Sequence, residues 1–374
     1  MLHTSRALRR TNPITLFLAG VLAIGFLIFL FSSPDGATTN KPLKNEKTAA
    51  ANALSPPSMP FLKAKKDGVQ LPPPVVHYQM NNVTTSSDPI GNRETVLILT
   101  PMVKFYQEYW DNLLKLNYPH ELISLGFILP KSQEGNDATA ALQEQVKKTQ
   151  SGPKKKRFAS ITILRQDTEL PLRSQAEGDR HKLENQKPRR AAMAKARNSL
   201  LFTTIGPKTS WVLWLDADIV ESPPTLIQDL ASHNKPIIVP NCFQRYFDKE
   251  ENRMAVRPYD FNSWQDSLTA EDLASKMGPD EILLEGYKEI PTYRSLMAYM
   301  ADDAKGRDPH KEMPLDGVGG TALLVKAEVH RDGAMFPPFA FYHLIETEGF
   351  AKMARRLGWK STGLPNYFVY HYNE

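Results

Sequence analysis

From Arg93 onward the chain alternates short apolar runs with segments of helical period. Glu94–Met102 (ETVLILTPM), Glu121–Leu129 (ELISLGFIL), Ala159–Asp167 (ASITILRQD) and Trp211–Ile219 (WVLWLDADI) read as strands, and the unbroken Trp, Val and Leu run of the last suits burial on both faces. Tyr106–Leu116 has the helical period, with Tyr106, Tyr109, Trp110, Leu113 and Leu114 on one side. Ser132–Arg157 is polar, with a helix predicted in its middle and an exposed loop at Lys154–Arg157. A basic helix follows at Arg189–Leu201, a short helix at Pro223–His233 and a strand at Lys235–Cys242. Phe243–Asp308 reads as irregular and helical. Leu315–Gly333 gives a glycine-rich turn and then a strand, Thr321–Lys326. The order predicts an α/β fold with a mostly parallel, Rossmann-like sheet covered by helices.

The first part of the chain has other patterns. Ile14–Phe31 is an apolar run of 18 residues, just long enough for a transmembrane helix. Arg6, Arg9 and Arg10 precede it and no Lys or Arg follows until Lys41, so residues 1–13 are predicted cytosolic and the rest lumenal. The run is long for the core of a cleaved signal peptide, and SSPDG offers no small-x-small cleavage site. Residues 32–92, rich in Pro, Ser, Thr, Asn and Lys, read as a stem that cannot bury enough apolar surface to fold. Residues 93–374 remain as the catalytic domain. Asn82-Val83-Thr84 is an N-glycosylation sequon, which marks Asn82 as a candidate glycan site.

Charge narrows the partners. Residues 1–92 carry nine Lys/Arg against four Asp/Glu, whereas 93–374 carry 37 of each, so the formal +5 lies outside the predicted domain. A nucleic-acid-binding domain would carry that excess itself, so no nucleic-acid partner is expected. The single cysteine, Cys242, excludes an intrachain disulfide and reads as a small buried residue.

Candidate chemistry starts at Asp216 and Asp218, which end the WVLWL strand. In extended chain, residues two apart point to the same side, and two such carboxylates repel by roughly 1–4 kcal/mol in a wet site. A divalent cation removes that repulsion, and hard oxygen ligands suit Mn²⁺ or Mg²⁺. A cap or a turn is the plain alternative for any D-x-D. In sheets of this kind ligands sit beyond the carboxyl ends of the strands. Thr100-Pro101, Arg165 with Asp167, and the two aspartates would then share one crevice. Arg190, Met193 and Arg197 share a face of the basic helix, with Arg189 one position round. Their guanidiniums suit a diphosphate, a solvated basic face being the alternative. Gly317, Gly319 and Gly320 allow backbone to approach a ligand. Asp316, Glu346 and Glu348 are candidates for holding acceptor hydroxyls or flanking a reacting carbon. Neither a Walker loop nor a dinucleotide fingerprint follows the first strand, and zincin and serine-hydrolase motifs are missing from the sequence.

The strings MAKARN, SWVLWLDADIVE, HNKPIIVPNC, LDGVGGTALLVKAEVHRDGAMFP, FYHLIETEGFAKMA and GLPNYFVYHYNE resemble the fungal Golgi α-1,6-mannosyltransferases of mannan polymerase, the ANP/VAN/MNN-nine family. The resemblance covers about Thr95 to Glu374. It implies a GT-A fold, GDP-mannose as donor, Mn²⁺ (or Mg²⁺) as cofactor and a retaining transfer onto mannosylated N-glycans. It also implies other mannan polymerase subunits as partners, and a single-pass type II address in the Golgi membrane with cycling through the endoplasmic reticulum. On this pattern Asp216 and Asp218 hold the metal, with His371 near the C-terminus completing its shell. Thr100 and Pro101 meet the nucleotide, and Arg189, Arg190, Arg197 and Asn198 form the basic helix. A non-catalytic or weakly catalytic subunit that organises the complex is the alternative. A metal-dependent phosphohydrolase would need a second cluster of ligands that the sequence lacks.

Overall fold

The computed structural model describes residues 75–166, 182–305 and 307–373. By contact the chain divides at Ser55/Pro56, and every described residue belongs to the unit Pro56–Glu374. In chain order, β1 (Val96–Pro101) is followed by α1 (Gln107–Leu114), β2 (Ile123–Pro130), α2 (Gln133–Ser151) and β3 (Ser160–Gln166). The long helix α3 (Leu183–Thr204) leads to β4 (Trp211–Leu215), β5 (Ile219–Glu221), α4 (Leu226–Ser232) and β6 (Ile237–Asp248). Then come β7 (Arg253–Pro258), β8 (Trp264–Gln265), α5 (Leu268–Ser275), β9 (Ser295–Leu296) and β10 (Met313–Leu315). The chain ends with β11 (Ala322–Lys326), α6 (Ala327–Arg331), α7 (Glu346–Arg356) and β12 (Ser361–His371).

The central strands are apolar throughout because both faces of the sheet are covered. On one face Val96, Ile98 and Leu213 join Tyr109, Trp110 and Leu113 of α1. On the other, Leu97, Leu99, Val212 and Trp214 join Ala194, Leu200 and Leu201 of α3 and Phe350 of α7. Alternate residues of one strand therefore feed two cores.

The main sheet has ten strands in the order β10-β12-β6-β11-β4-β1-β2-β3, with β5 on β12 and β7 on β6. It is mixed, which corrects the expectation of a mostly parallel sheet. The strands β1 to β4, β6 and β12 run one way, while β5, β7, β10 and β11 run the other. The reversal at β11 matters for function. Lying antiparallel between β4 and β6, it starts where β4 ends, with Ala322 opposite Leu215. The glycine-rich turn before β11 is thereby delivered to the carboxyl end of the aspartate strand.

The transmembrane part of the expected fold is corrected as well. Among the described residues no helix is long and apolar enough to cross a membrane, and the segment 14–31 lies outside them. The described fold is the α/β unit alone, so the membrane attachment drawn from that segment is dropped. The expected segments 1–13 and 32–74 also fall outside the described residues, as does Asp167. Asn82 closes a short 3-10 turn, Met80–Asn82, and is exposed.

Two element boundaries differ for local reasons. The basic helix was expected to begin after Pro188, but α3 runs through it from Leu183, with Gln186 and Arg190 buried on either side of the proline. Tertiary burial of its flanks offsets the lost backbone bond. The stretch expected to be irregular, Phe243–Asp308, holds the β6–β7 hairpin and the small β8–β9 pair.

Candidate active site

Asp216 and Asp218 do not lie in one extended strand. Strand β4 stops at Leu215, where Asp216 N–H donates to Thr321 O at 3.0 Å, and Ile219 N–H donates back to Asp216 O at 3.1 Å. The two aspartates are thus the corners of a tight turn between β4 and β5. β5 pairs with the end of β12, where Ile219 stands opposite His371. Because β12 also runs parallel to β6, His371 lies beside Gln244.

His371 is 3% exposed and pinned, although only three residues from the chain end. Tyr372 N–H donates to Asp218 O at 2.7 Å, and the Tyr259 ring stacks on the imidazole at 3.7 Å. Its Nε2 lies 2.9 Å from Asp218 Oδ2, and its Nδ1 lies 2.6 Å from Tyr372 O. Both nitrogens therefore face oxygen acceptors, for which a neutral imidazole has only one proton.

The arginines come from α3. Arg197, 2% exposed, donates from Nη2 to Asp216 Oδ1 at 2.8 Å and from Nε to Glu346 Oε1 at 3.1 Å. Its third nitrogen, Nη1, is buried without a hydrogen-bond partner. Gly320 makes this approach possible: a Cβ there would stand 2.7 Å from Arg197 Nη2. Burial pulls the Arg197 guanidinium down, but Asp216 and Glu346 outweigh it and its pKa is raised overall. Asp216 is pushed up to about 6 by burial and by the neighbouring Asp218 and Glu346, against the pull of Arg197. Two carboxylates thus share one buried guanidinium, with Asp218 near enough to raise Asp216 further, an arrangement short of positive charge.

Two turns earlier on α3, Arg190 donates from Nη1 to Glu348 Oε2 at 2.5 Å and from Nη2 to Asn262 Oδ1 at 2.9 Å. Glu348 is fully buried, and its Oε1 accepts from Trp264 Nε1 at 2.8 Å. Both oxygens are committed, so this carboxylate positions Arg190 and cannot reach an acceptor sugar as the sequence reading had it. Glu346, by contrast, lines the cavity and has φ +55°. A non-glycine residue in that region costs about 1–2 kcal/mol, and such outliers concentrate at functional sites.

Asp216, Asp218, Glu346, Arg189, Arg190, Arg197 and His371 all line one cavity of about 500 Å³. Other candidates are elsewhere. Arg165 donates to Gly135 O and to the side chains of Asn136 and Thr139, fixing the start of α2. Asn198 exchanges two hydrogen bonds with the Phe336 backbone, at 2.7 and 3.0 Å. Thr100 is buried, its hydroxyl 2.5 Å from that of Tyr109, and Pro101 does not line the cavity. Asp316 belongs to a second cavity, where Arg355 contacts it. Gly317 and Gly319 do not line the first cavity but pack tightly around it. A Cβ on Gly317 would stand 2.4 Å from Trp264, and one on Gly319 would stand 1.6 Å from Asp260 Oδ2.

Sequence reading missed Asp260, Asn262, Glu285 and Tyr287, which complete the wall opposite α3. Asp260 accepts from Asn262 N at 2.9 Å and from Thr321 Oγ1 at 3.2 Å, and burial raises its pKa. These residues sit on loops without periodicity. The one available signal is polar residues spaced two or three apart beside aromatics, as in YDFNSW and LEGY.

The donor types fit a divalent cation: two carboxylates and an imidazole whose Nδ1 faces a backbone carbonyl, the usual support for a metal-bound histidine. Their positions are less complete. Among the described residues no group of three His, Cys, Asp or Glu is gathered to hold a metal ion: Asp218 meets His371, but Asp216 turns to Arg197.

Comparison with known proteins supplies the family. The Anp1 family profile matches residues 74–340. The Candida albicans protein named mannan polymerase complex subunit MNN9 is 52% identical over 369 residues, covering 98% of this chain and 97% of that protein. Its Schizosaccharomyces pombe counterpart is 59% identical over 297 residues, covering 79% and 86%. A solved mannosyltransferase from Pyrobaculum calidifontis, in complex with GDP-Man and Mn²⁺, is 13% identical with a TM-score of 0.39. It covers 74% of this chain and 56% of that one, and the likeness is too slight to argue from. The family match and the two fungal relatives are decisive: this chain belongs to the Anp1 family.

Proposed function

We propose that this chain is a GT-A-type, metal-assisted mannosyltransferase, transferring mannose from GDP-mannose with retention onto the α-1,6-linked mannan backbone of N-glycans. It works in the Golgi as a subunit of a mannan polymerase complex. The observation that carries this reading is the convergence of the three α3 arginines, the aspartate pair, Glu346 and His371 on one cavity at the carboxyl end of β4. The names of the fungal relatives support the polymer and the complex.

Asp216, Asp218 and His371 would hold the cation. When bound, it would neutralise charge on the donor diphosphate, the usual role of a Lewis acid beside a phosphate leaving group. The side chains do the rest. Arg189 and Arg190 offer guanidinium donors to phosphate oxygens, and Glu348 fixes Arg190 in the required rotamer. Arg197 Nη1, buried and unpartnered, is a donor held ready for a substrate oxygen. As the bond from mannose C1 to the phosphate oxygen breaks, negative charge grows on the leaving group, and preorganised donors stabilise it. The acceptor oxygen bonds to C1, and its hydroxyl proton leaves with the departing phosphate. Glu346, held by Arg197, flanks the reacting carbon.

A second reading has one observation in its favour. Arg197 already compensates Asp216, as it would in a subunit that only organises the complex. The test is transfer to an α-linked mannose acceptor by the purified chain with GDP-mannose and Mn²⁺. Chelation should stop transfer and Mn²⁺ restore it, and Asp218→Ala should cut the rate by about 100-fold or more. Wild type silent alone but active with a second family member would favour the organising role. Undiminished activity of Asp218→Ala would defeat the metal reading.

A further inference from the structure

We infer that the second cavity, between Tyr342 and the outer face of α7, is a holding site for a neutral oligosaccharide, separate from the cavity of the aspartates. This rests on the transferase reading only for the identity of the sugar. The cavity measures about 520 Å³ and is lined by Tyr342, the carboxylates Asp266, Glu271 and Asp316, and the cations Lys352, Arg355 and Arg356. Its size is that of a small-ligand site.

Tyr342 is 54% exposed, although large aromatics are usually buried. The backbone that holds it outward is strained: Tyr342 has φ +52° and His343 φ +60°. The turn is locked by reciprocal hydrogen bonds between Phe341 and Leu344, at 2.8 and 3.0 Å, and by Leu283 N–H donating to His343 O at 2.7 Å. A fixed, outward aromatic face is what stacks on the apolar face of a sugar ring.

The polar groups around that ring are of both signs and evenly matched, three cations against three carboxylates. Lys352 and Arg356, one helical turn apart on α7, stand 5.5 and 5.7 Å from the Tyr342 ring centre. Arg355 is spent on Asp316, and Asp266 on Arg294 at 2.9 Å, so both carboxylates are held as oriented acceptors. A balanced ring of fixed donors and acceptors about an aromatic platform suits hydroxyl groups. A nucleotide or a phosphate would call for an excess of positive charge, which the first cavity's α3 wall has and this one lacks.

A chain of direct bonds joins the two cavities. Asp316 N–H donates to Trp264 O at 2.8 Å, Trp264 Nε1 donates to Glu348, and Glu348 holds Arg190. A long acceptor gripped by its interior at Tyr342 would gain affinity through that second contact, while a monosaccharide acceptor would not.

The test uses the full chain and a linear α-linked mannohexaose, without donor, in a calorimetric or NMR titration. Tyr342→Ala should weaken hexaose binding by about tenfold, Tyr342→Phe should keep it, and Arg356→Gln should weaken it less than Tyr342→Ala. In transfer assays Tyr342→Ala should raise KM for the hexaose severalfold with kcat, and the use of methyl α-mannoside, unchanged. Wild-type affinity in Tyr342→Ala, with an unaltered melting temperature, would overturn the proposal. Because binding is read without turnover, hexaose binding that depends on Tyr342 would uphold this site even if transfer failed. Loss of transfer in Asp218→Ala with intact hexaose binding would support the two sites as distinct.

Discussion

Arg190 and Arg197 sit in the same helix with similar burial, yet they answer to different needs. Arg190 is balanced by Glu348, a carboxylate with no solvent and no cavity to serve. Removing one member of such a pair leaves a buried charge alone, so Glu348→Ala should destabilise the fold by about 3–5 kcal/mol, read by urea unfolding. Asp218 is 24% exposed at its side chain and faces the cavity. Asp218→Ala should shift stability by about 1 kcal/mol or less while removing transfer. Another residue gives a pH signature. His330 is buried, accepts from Trp214 Nε1 at 3.2 Å and has Nδ1 2.8 Å from Ala334 O. Burial lowers its pKa to about 4. The folded state thus binds this proton less readily than the unfolded chain, whose histidine titrates near 6.5. Its contribution is whole above about pH 6.5 and drains away as the pH falls toward 4, by about 3 kcal/mol in total. Comparing urea unfolding of wild type and His330→Gln across that range should show a shallower acid arm in the variant.

Among the elements, the turn before β11 governs the site without joining the chemistry. Gly319 lies against Asp260 so closely that Gly319→Ala should cost about 1–3 kcal/mol and lower transfer, because the Asp260 wall must shift. Circular dichroism melts beside the transfer rate would check this. The strands β1, β2 and β4 were legible because a nearly continuous apolar run leaves few alternatives, and β3 by its β-branched alternation. Strand β11 was equally legible as a strand but not in its direction, since apolar pattern carries no sign for parallel or antiparallel pairing. The β7, β8 and β9 segments escaped notice because polar and aromatic residues mix there without a period. At the site, the D-x-D and the basic helix announced themselves by spacing and charge. The turn geometry of Asp216 and Asp218, the burial of Glu348 and the wall from Asp260 to Tyr287 arise from contacts between distant segments, which one sequence does not display. His371 shows the same limit in reverse. Its place near the chain end suggests fraying, but pairing of β12 with both β5 and β6 buries it.

At the scale of the molecule, the antiparallel β11, set between the parallel strands β4 and β6 of a mixed sheet, helps gather four segments at the carboxyl edge of β4. These are the aspartate turn, the start of β11, the end of β12 and the inner face of α3. The result is a cavity in which Asp216, Asp218 and Glu346 outnumber the one guanidinium, Arg197, paired among them, while α3 adds Arg189 and Arg190 to its lining. Such a division suits a diphosphate bridged to carboxylates by a cation, and this is the central claim. Calorimetric titration of GDP into the purified chain, with and without Mn²⁺, tests it most directly. Wild type should bind GDP at least about tenfold more tightly with Mn²⁺, and Asp218→Asn should lose that enhancement. Equal GDP affinity with and without Mn²⁺ in wild type, unchanged in Asp218→Asn, would contradict the account.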